Sequence, residues 1–267
     1  QPVVNTTYSV TVTASNGCTA KDNVSVTADL AEPDATLTVT GDTVTCLSPS
    51  VDISVPAGES YEWSTAETTN SITVSPATTS TYTVTVTAAN GCTSVNDTTV
   101  VVDDDIPDNS LTVNRDTVTC NDSTASIDVA VTADATYEWS TGQTTSGIVV
   151  QPTTDQAYTV TVTASNGCTS INDTTIVADL AVPDATITAD ATTISCSDSV
   201  ANLSVPAVAG NSYEWSTAAT TDNIDVQPVV NTTYSVTVTA SNGCTATNSQ
   251  AITADLGEPD ATLTVTG

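Results

Sequence analysis

Residues 81–87 read Thr-Tyr-Thr-Val-Thr-Val-Thr and are followed by the pair Asn90-Gly91. Large apolar side chains alternate with threonine, which is the pattern of a β-strand that has one buried face. The Asn-Gly pair favours a tight hairpin turn, and residues 98–102 are again rich in β-branched side chains. The stretch therefore predicts a β-hairpin whose tyrosine and valines face a core.

Five further short strands are predicted upstream of this hairpin. They lie at residues 35–40, 43–46, 51–55, 61–64 and 71–74. The fourth of them carries Trp63, which we expect to fill the centre of the core. No segment of the chain has the apolar period of a helix. Seven short strands around one tryptophan predict an all-β, Ig-like β-sandwich.

The same pattern recurs along the chain. The phrase Tyr-Glu-Trp-Ser-Thr begins at Tyr61, Tyr137 and Tyr213, and each copy is followed by an Asn-Gly-Cys motif. A period of about 75 residues fits one complete small domain. Residues 30–104, 105–180 and 181–256 are therefore predicted to be three Ig-like repeats. Residues 1–29 are predicted to be the C-terminal part of a repeat, and residues 257–267 the first strand of the next one.

Short linkers that contain proline join the repeats, and they contain no Gly-Ser run. Such linkers make semi-rigid joints, so we expect tandem domains in an extended rod. Residues 1–20 are identical to residues 227–246. A block of three repeats thus recurs as a unit, and we expect the segment to come from a longer polypeptide.

The charge of the chain is strongly one-sided. It has 31 acidic residues against only Lys21 and Arg115, a formal net charge of −29. This excludes binding to nucleic acid phosphates and to anionic membrane surfaces. No run of apolar residues is long enough to insert into a membrane. The composition favours a highly solvated extracellular surface.

Each complete repeat contains two cysteines. In a small secreted β-domain, paired cysteines predict an internal disulfide, here Cys46–Cys92, Cys120–Cys168 and Cys196–Cys244. A rival pairing links consecutive repeats with a constant spacing, as Cys18–Cys46, Cys92–Cys120 and Cys168–Cys196. The chain has no histidine and no CxxC motif, so we expect neither a thiolate metal site nor a Ser-His or Cys-His catalytic pair.

Two aspartates recur at every linker. They are Asp29 and Asp34, Asp103 and Asp108, Asp179 and Asp184, and Asp255 and Asp260. Carboxylates at a domain joint are suitable ligands for Ca²⁺, which takes six to eight oxygen ligands. The alternative is that these aspartates form turns at the strand ends. No cofactor is required by the sequence, and Ca²⁺ is the one ion that we consider.

Four short sequence elements and their copies point to a known family. They are Val44-Thr45-Cys46, Tyr61-Glu62-Trp63, residues 81–86 and Asn90-Gly91-Cys92. Together they resemble the Ig-like and PKD-like repeats of large Bacteroidota surface adhesins, including those associated with gliding motility and type IX secretion. The resemblance covers essentially the whole chain. It implies a secreted or cell-surface location and an adhesive or filament-building role.

The resemblance also implies candidate O-glycosylation sites. Aspartate followed by Ser or Thr and then by an aliphatic residue or Thr looks like the site that Bacteroidota modify in secreted proteins. The hydroxyl residues in this pattern are Thr43, Thr98, Thr117, Ser123, Thr174 and Ser199. The abundance of Thr and Asp in the chain is the alternative explanation of the pattern.

Our sequence-based hypothesis is a structural or adhesive extracellular repeat protein, not an enzyme, that forms a surface fibre or stalk. Its expected partners are other copies of the chain or neighbouring repeats, and surface glycans. The alternative is an array of modules that bind glycans or proteins, accessory to an enzyme domain elsewhere in the polypeptide. The loop between Cys46 and Trp63, which varies in length between repeats, keeps that alternative open.

Overall fold

A computed structural model describes residues 2–258, 261 and 262. The described residues form 23 β-strands and no helix; accordingly, nothing in them meets the length and apolarity of a membrane-crossing helix. The all-β fold predicted from the sequence is confirmed. The predicted strand at residues 257–267 lies mostly outside the described residues, and Asp260 lies wholly outside them.

The first complete repeat contains seven strands in two sheets. These are β3 (Thr38–Thr40), β4 (Thr43–Thr45), β5 (Val51–Ser54), β6 (Ser60–Trp63), β7 (Ser71–Val74), β8 (Ser80–Thr87) and β9 (Thr93–Asp103). One sheet has the order β3-β5-β7 and the other the order β4-β9-β8-β6. Before them, β1 (Thr6–Thr13) and β2 (Thr19–Val26) form a two-stranded antiparallel sheet.

The two later repeats contain the same seven strands in the same sheet orders. In the second repeat these are β10 (Leu111–Val113), β11 (Thr117–Thr119), β12 (Ala125–Val129), β13 (Thr136–Trp139), β14 (Gly147–Val150), β15 (Gln156–Thr163) and β16 (Thr169–Asp179). In the third they are β17 (Thr188–Ala189), β18 (Thr193–Ser195), β19 (Ala201–Ser204), β20 (Ser212–Trp215), β21 (Asn223–Val226), β22 (Thr232–Thr239) and β23 (Thr245–Asp255).

The strand alternation read from the sequence determines which side chains form the core. Along β8, Tyr82, Val84 and Val86 are buried while the intervening threonines are partly or fully exposed. Trp63 lies in the same cluster with 2% of its surface exposed. Its indole N–H donates to the carbonyl oxygen of Thr69 at 2.8 Å, which satisfies the single polar group of a buried tryptophan.

In each of the three repeats, the short second strand pairs in parallel with the end of the last strand. Strand β4 lies parallel to the end of β9, with Thr43 opposite Val101 and Thr45 opposite Asp103. In the third repeat β18 has the same relation to β23, with Ser195 opposite Asp255. The cysteine after each short strand therefore lies beside the residue at which the chain leaves the sandwich.

The chain forms two compact units whose limits do not follow the sequence repeats. Unit 1 comprises Gln1–Pro107, Thr132–Ala135 and Thr163–Ser170, and unit 2 comprises Asp108–Val131, Thr136–Val162 and Ile171–Gly267. The hairpin segment 163–170 of the second repeat thus belongs to the same compact unit as the first repeat. Contacts inside each unit explain this assignment, as described below.

We expect Val84→Ala to destabilise the first repeat strongly, because Val84 is fully buried among Trp63 and the valines around it. Truncation leaves a cavity, and the free energy of unfolding should fall by about 2 kcal/mol. The matched control is Val95→Ala on the neighbouring strand, where the side chain is 64% exposed. Its effect should stay within about 0.5 kcal/mol. Urea unfolding followed by tryptophan fluorescence measures both, and equal effects would contradict this core.

Candidate junction between repeats

The Asn-Gly-Cys hairpin of the second repeat holds the linker that precedes that repeat. The Asn166 side-chain amide donates to the carbonyl oxygen and to Oδ1 of Asp103, at 3.4 and 2.9 Å. It also donates to the carbonyl oxygen of Asp105 at 3.0 Å. The Oδ1 of Asn166 accepts the backbone N–H of Cys168 at 2.9 Å, which fixes the orientation of the amide.

The same set of hydrogen bonds occurs at two other linkers. Asn90 donates to Asp29 and to the carbonyl oxygen of Ala31, all within unit 1. Asn242 donates to Asp179 and to the carbonyl oxygen of Ala181, all within unit 2. In each repeat, one asparagine therefore donates hydrogen bonds to the carbonyl oxygens and the aspartate carboxylate of the linker that precedes the repeat.

Two disulfides reinforce these junctions. Cys46 is bonded to Cys168, and Cys120 to Cys244, with Cα–Cα distances of 5.0 Å in both cases. Each joins the cysteine after the short parallel strand of one repeat to the hairpin cysteine of the next. Backbone bonds support them: Leu47 N–H donates to the carbonyl oxygen of Asn166 at 3.2 Å, and Cys120 N–H to that of Asn242 at 3.1 Å.

The predicted disulfides within repeats, Cys46–Cys92, Cys120–Cys168 and Cys196–Cys244, are wrong. In the first repeat, Cys46 follows Thr45, which pairs with the last residue of β9, whereas Cys92 directly precedes the first residue of β9. An 11-residue strand separates their positions by about 35 Å. A disulfide tolerates a Cα–Cα distance of at most about 7 Å, so the two cysteines of one repeat cannot meet.

The rival pairing Cys18–Cys46, Cys92–Cys120 and Cys168–Cys196 is wrong as well. It links the hairpin cysteine of one repeat to the short-strand cysteine of the next, which is the reverse of the observed direction. Of the six cysteines predicted to be bonded, Cys92 and Cys196 are free, and so is Cys18. The bonded hairpin cysteines Cys168 and Cys244 are each only 1% exposed.

The glycine between the asparagine and the cysteine permits the close approach. Gly167 has φ +82°, and a Cβ at this position would lie 2.7 Å from Leu47 Cβ and 3.0 Å from Leu47 N. At Gly243 a Cβ would overlap the side-chain amide of Asn121. Gly91 has the same kind of backbone, φ +84°, but a Cβ there would have no neighbour within 4 Å.

The second of the two aspartates in each linker has a different role. Asp108 Oδ1 accepts the hydroxyl of Ser110 at 2.6 Å and its backbone N–H at 2.9 Å. These two hydrogen bonds lower the pKa of Asp108 below its ordinary value, and the bond from the hydroxyl has the larger effect. Hydrogen bonds from Thr36 and Thr186 lower the pKa of Asp34 and of Asp184 in the same way. These carboxylates act as turn formers, which is the alternative considered from the sequence.

The first linker aspartates, Asp29, Asp103 and Asp179, accept asparagine amides as described above. Within residues 2–258, 261 and 262, no three Asp, Glu, Cys or His side chains come together as a metal-binding group. Asp255 has no hydrogen-bonded side-chain partner among those residues. Calcium binding at the linkers remains a prediction.

The candidate glycosylation residues occupy two kinds of position. Thr43, Thr98, Thr117 and Thr174 are half-buried on strands, and the hydroxyls of Thr43 and Thr117 donate to the preceding aspartates. Ser123 and Ser199 are exposed in loops. Modification at these residues stays a prediction.

No protein-family model matches the sequence, and no curated protein matches it significantly. Among solved structures, the chain is similar to a Ca²⁺-stabilised adhesin that helps an Antarctic bacterium reach out and bind ice. The identity is 18% and the TM-score 0.48, over 94% of this chain and 82% of the other. It is also similar to a 1.5-MDa bacterial ice-binding adhesin, with 17% identity and a TM-score of 0.41 over 85% of this chain and all of the other.

A third similar structure comprises domains 7, 8 and 9 of the S-layer protein SbsC. The identity is 12% and the TM-score 0.28, over 85% of this chain and 99% of the other.

We expect Gly167→Ala to destabilise the junction more than Gly91→Ala. Both substitutions put a side chain on a left-handed backbone, which costs about 1–2 kcal/mol. Only Gly167→Ala also drives a Cβ against Leu47, which should add roughly 1–3 kcal/mol and lower the yield of the Cys46–Cys168 bond. Urea unfolding and thiol counting after refolding measure the two effects. Equal results for the two variants would show that the hairpin does not touch Leu47.

We expect Ser110→Ala to raise the pKa of Asp108 toward 3.8, because the Ser110 hydroxyl bond is the strongest cause of the lowering. A lowered pKa in the folded state stabilises the fold above about pH 3.8, and this contribution is lost as the pH falls through the folded-state pKa. Carboxyl ¹³C NMR titration measures the shift. Thr112→Ala, two residues further on, is the control and should leave the Asp108 pKa unchanged.

Proposed function

We propose that this chain is a segment of an extracellular structural or adhesive fibre built from tandem Ig-like domains. One observation supports this role above all: the same junction recurs from repeat to repeat, with a disulfide, an asparagine and a glycine at equivalent places. Such a junction restricts the angle between consecutive domains more than a linker alone. The proposed role is structural and includes no catalytic step.

The proposed location follows from the chemistry of the junction. Disulfides form and persist in secreted and cell-surface proteins, and the net charge of −29 keeps such a surface solvated. The sequence resemblance to Bacteroidota surface adhesins, stated above on its motifs, supports the same location. We extend the proposal to that class of adhesin, with residues 30–104, 105–180 and 181–256 as its domains.

Loops that bind a glycan or a protein are the second candidate function. The loop between the third and fourth strands differs in length between the repeats, in which it spans residues 55–59, 130–135 and 205–211. Exposed apolar side chains also occur in loops of the later repeats, with Val131 80% and Val208 53% exposed. Binding of the chain to a glycan array, lost on Val131→Ser and Val208→Ser, would favour this candidate.

The fibre proposal is tested by electron microscopy of the purified chain. An 11-residue strand of about 35 Å sets the length of one sandwich. We therefore expect rods with a spacing of about 35–40 Å per repeat. In the variant Cys46→Ser with Cys120→Ser, both disulfides are absent, and the rods should bend over a wider range of angles.

Cys92→Ser is the matched control, because Cys92 occupies an Asn-Gly-Cys hairpin but has no disulfide. Its rods should be as straight as those of the unmodified chain. Compact globules in place of rods would refute the fibre proposal. Rods of equal straightness in all three proteins would show that the disulfides do not stiffen the chain.

A further inference from the structure

The hairpins that close the two disulfide-bonded junctions contain the dipeptide Asn-Gly, as Asn166-Gly167 and Asn242-Gly243. Asparagine is a thermolabile residue. Its side-chain amide is most open to attack by the next backbone nitrogen when glycine follows, because glycine has no Cβ beside that nitrogen. Residues 165–169 and 241–245 both read Ser-Asn-Gly-Cys-Thr. The two dipeptides therefore have the same intrinsic reactivity, and any departure from it comes from the fold.

Deamidation of Asn166 needs only water and hydroxide. Hydroxide removes the proton of the Gly167 backbone nitrogen, and that nitrogen attacks Asn166 Cγ. The bond between Cγ and Nδ2 breaks, and Nδ2 takes up a proton from water and leaves as ammonia. A water molecule then opens the cyclic succinimide at one of its two carbonyl groups, which gives aspartate or isoaspartate. In total one water is consumed and one ammonia is released, with no change of oxidation state.

The closed junction uses both nitrogen atoms that react. Gly167 N–H donates to the carbonyl oxygen of Ala164 at 3.0 Å. The Asn166 amide donates to Asp103 Oδ1 at 2.9 Å and to the carbonyl oxygen of Asp105 at 3.0 Å. Because the first nitrogen must lose its proton and the second must leave, these hydrogen bonds are lost on the way to the succinimide. The net strength of such a set of bonds slows the reaction by at least about tenfold.

The second junction holds its asparagine in the same way. Gly243 N–H donates to the carbonyl oxygen of Ala240 at 2.9 Å. The Asn242 amide donates to Asp179 Oδ1 at 2.9 Å and to the carbonyl oxygen of Ala181 at 3.0 Å. Asn242 is only 9% exposed. Hydroxide and water therefore reach its Cγ when the junction opens, and the neighbouring disulfide limits that opening.

The product of the reaction cannot remake the junction. An aspartate side chain at position 166 has no N–H group to donate, whereas the linker offers only acceptors, the carboxylate of Asp103 and the carbonyl oxygens of Asp103 and Asp105. The new carboxylate would take the place of Nδ2, which lies 2.9 Å from Asp103 Oδ1. Two carboxylates at such a distance repel each other, and the carbonyl oxygens lose their donor. Isoaspartate also lengthens the backbone of the turn that approaches Leu47.

We propose that Asn166 and Asn242 are deamidation sites that the closed junction protects, and that their conversion to aspartate or isoaspartate opens the junction irreversibly. A junction that has been opened by reduction of its disulfide, or by pulling, is the one that reacts fastest. Opening is thus recorded as a covalent change, and the restraint between two consecutive repeats is lost. The effect on the stiffness of a fibre rests on the proposed function, whereas the modification itself does not.

The first test compares reaction rates in the folded and the unfolded chain. The whole chain, with both disulfides formed, is incubated at mildly alkaline pH, and a reduced sample is incubated unfolded in urea. Mass spectrometry of proteolytic peptides gives the rate of conversion at each asparagine, and chromatography separates aspartate from isoaspartate. We expect equal rates at Asn166 and Asn242 in the unfolded chain, and rates at least about tenfold lower in the folded chain.

Single cysteine variants assign the protection to individual junctions. Cys46→Ser removes the disulfide beside Asn166 and leaves Cys120–Cys244 in place, and Cys120→Ser does the reverse. We expect Cys46→Ser to accelerate the conversion of Asn166 severalfold without changing that of Asn242. Cys120→Ser should accelerate Asn242 alone. Each variant is the matched control of the other, because neither substitution touches the hydrogen bonds within the two turns.

The effect of the product on the junction is measured with Asn166→Asp. Protein is equilibrated with reduced and oxidised glutathione, and the fraction of the Cys46–Cys168 bond is determined after alkylation. Asn166→Ala removes the amide without adding charge and should lower the equilibrium constant of this bond about tenfold. Asn166→Asp should lower it further because of the added charge. Asn90→Asp is the control, because Asn90 donates to Asp29 at another linker, and it should leave the Cys46–Cys168 bond unchanged.

Three results would overturn the inference. One is conversion of Asn166 or Asn242 in the folded chain at the rate of the unfolded chain. Another is acceleration of both asparagines, or of neither, by Cys46→Ser. The third is a Cys46–Cys168 bond that is as stable in Asn166→Asp as in the unmodified chain. Reaction rates and bond yields do not depend on the formation of rods, so the fibre proposal stands or falls separately, by microscopy.

Discussion

The parallel pairing of the three-residue strand β4 with the end of β9 is the contact on which the junctions depend. Because the two strands run in the same direction, Cys46 emerges beside Asp103, where the chain also leaves the sandwich. The cysteine, the linker and the hairpin of the next repeat therefore meet at one end of the domain. In an antiparallel pairing with the same residues of β9, the chain would run from Thr45 away from Asp103, and Cys46 would lie roughly 13 Å further back along β9.

The repeats are small domains without an internal covalent bond. In the first repeat, twelve buried hydrophobic side chains, with Trp63 among them, form the core. Sandwiches of this size are marginally stable alone. Junction contacts therefore contribute a larger share of the stability than they would between large domains, as in other arrays of repeats that interact with their nearest neighbours. The free energy of unfolding of one repeat should depend on whether its neighbour is folded.

Strand positions and core residues were accessible from the sequence, because alternation along residues 81–87 and the recurring tryptophan are strong local signals. The last strand is longer than expected, Thr93–Asp103 instead of residues 98–102, since Asn96 and Asp97 interrupt its apolar pattern without interrupting its pairing. The disulfide partners were not accessible in this way. They depend on the direction of one very short strand, and residue periodicity does not encode direction.

The asparagine of the junction was also missed as a functional residue. The Asn-Gly pattern predicts only a turn at Asn90 and its copies, although the turn uses their Oδ1 and leaves the amide N–H groups for another partner. The signal was the recurrence of an aspartate at each linker together with an asparagine in each hairpin. A carboxylate and an amide that recur together in every repeat suggest a hydrogen bond as readily as a metal ion.

The two disulfides overlap along the chain, because Cys120 lies inside the loop closed by Cys46–Cys168, and Cys168 inside the loop closed by Cys120–Cys244. Under a pulling force, the shortest covalent path from Cys46 to Cys244 crosses one disulfide, returns from Cys168 to Cys120 and crosses the other. That path follows the backbone only between Cys120 and Cys168, a small part of the chain between its two ends. Even with every strand unfolded, Cys46 and Cys244 can therefore separate by only about 160 Å. Without the disulfides, the extended backbone between them would reach about 670 Å. The overlap makes the segment a tether of limited extensibility, whose maximum length is set by covalent bonds and not by the folding of its domains.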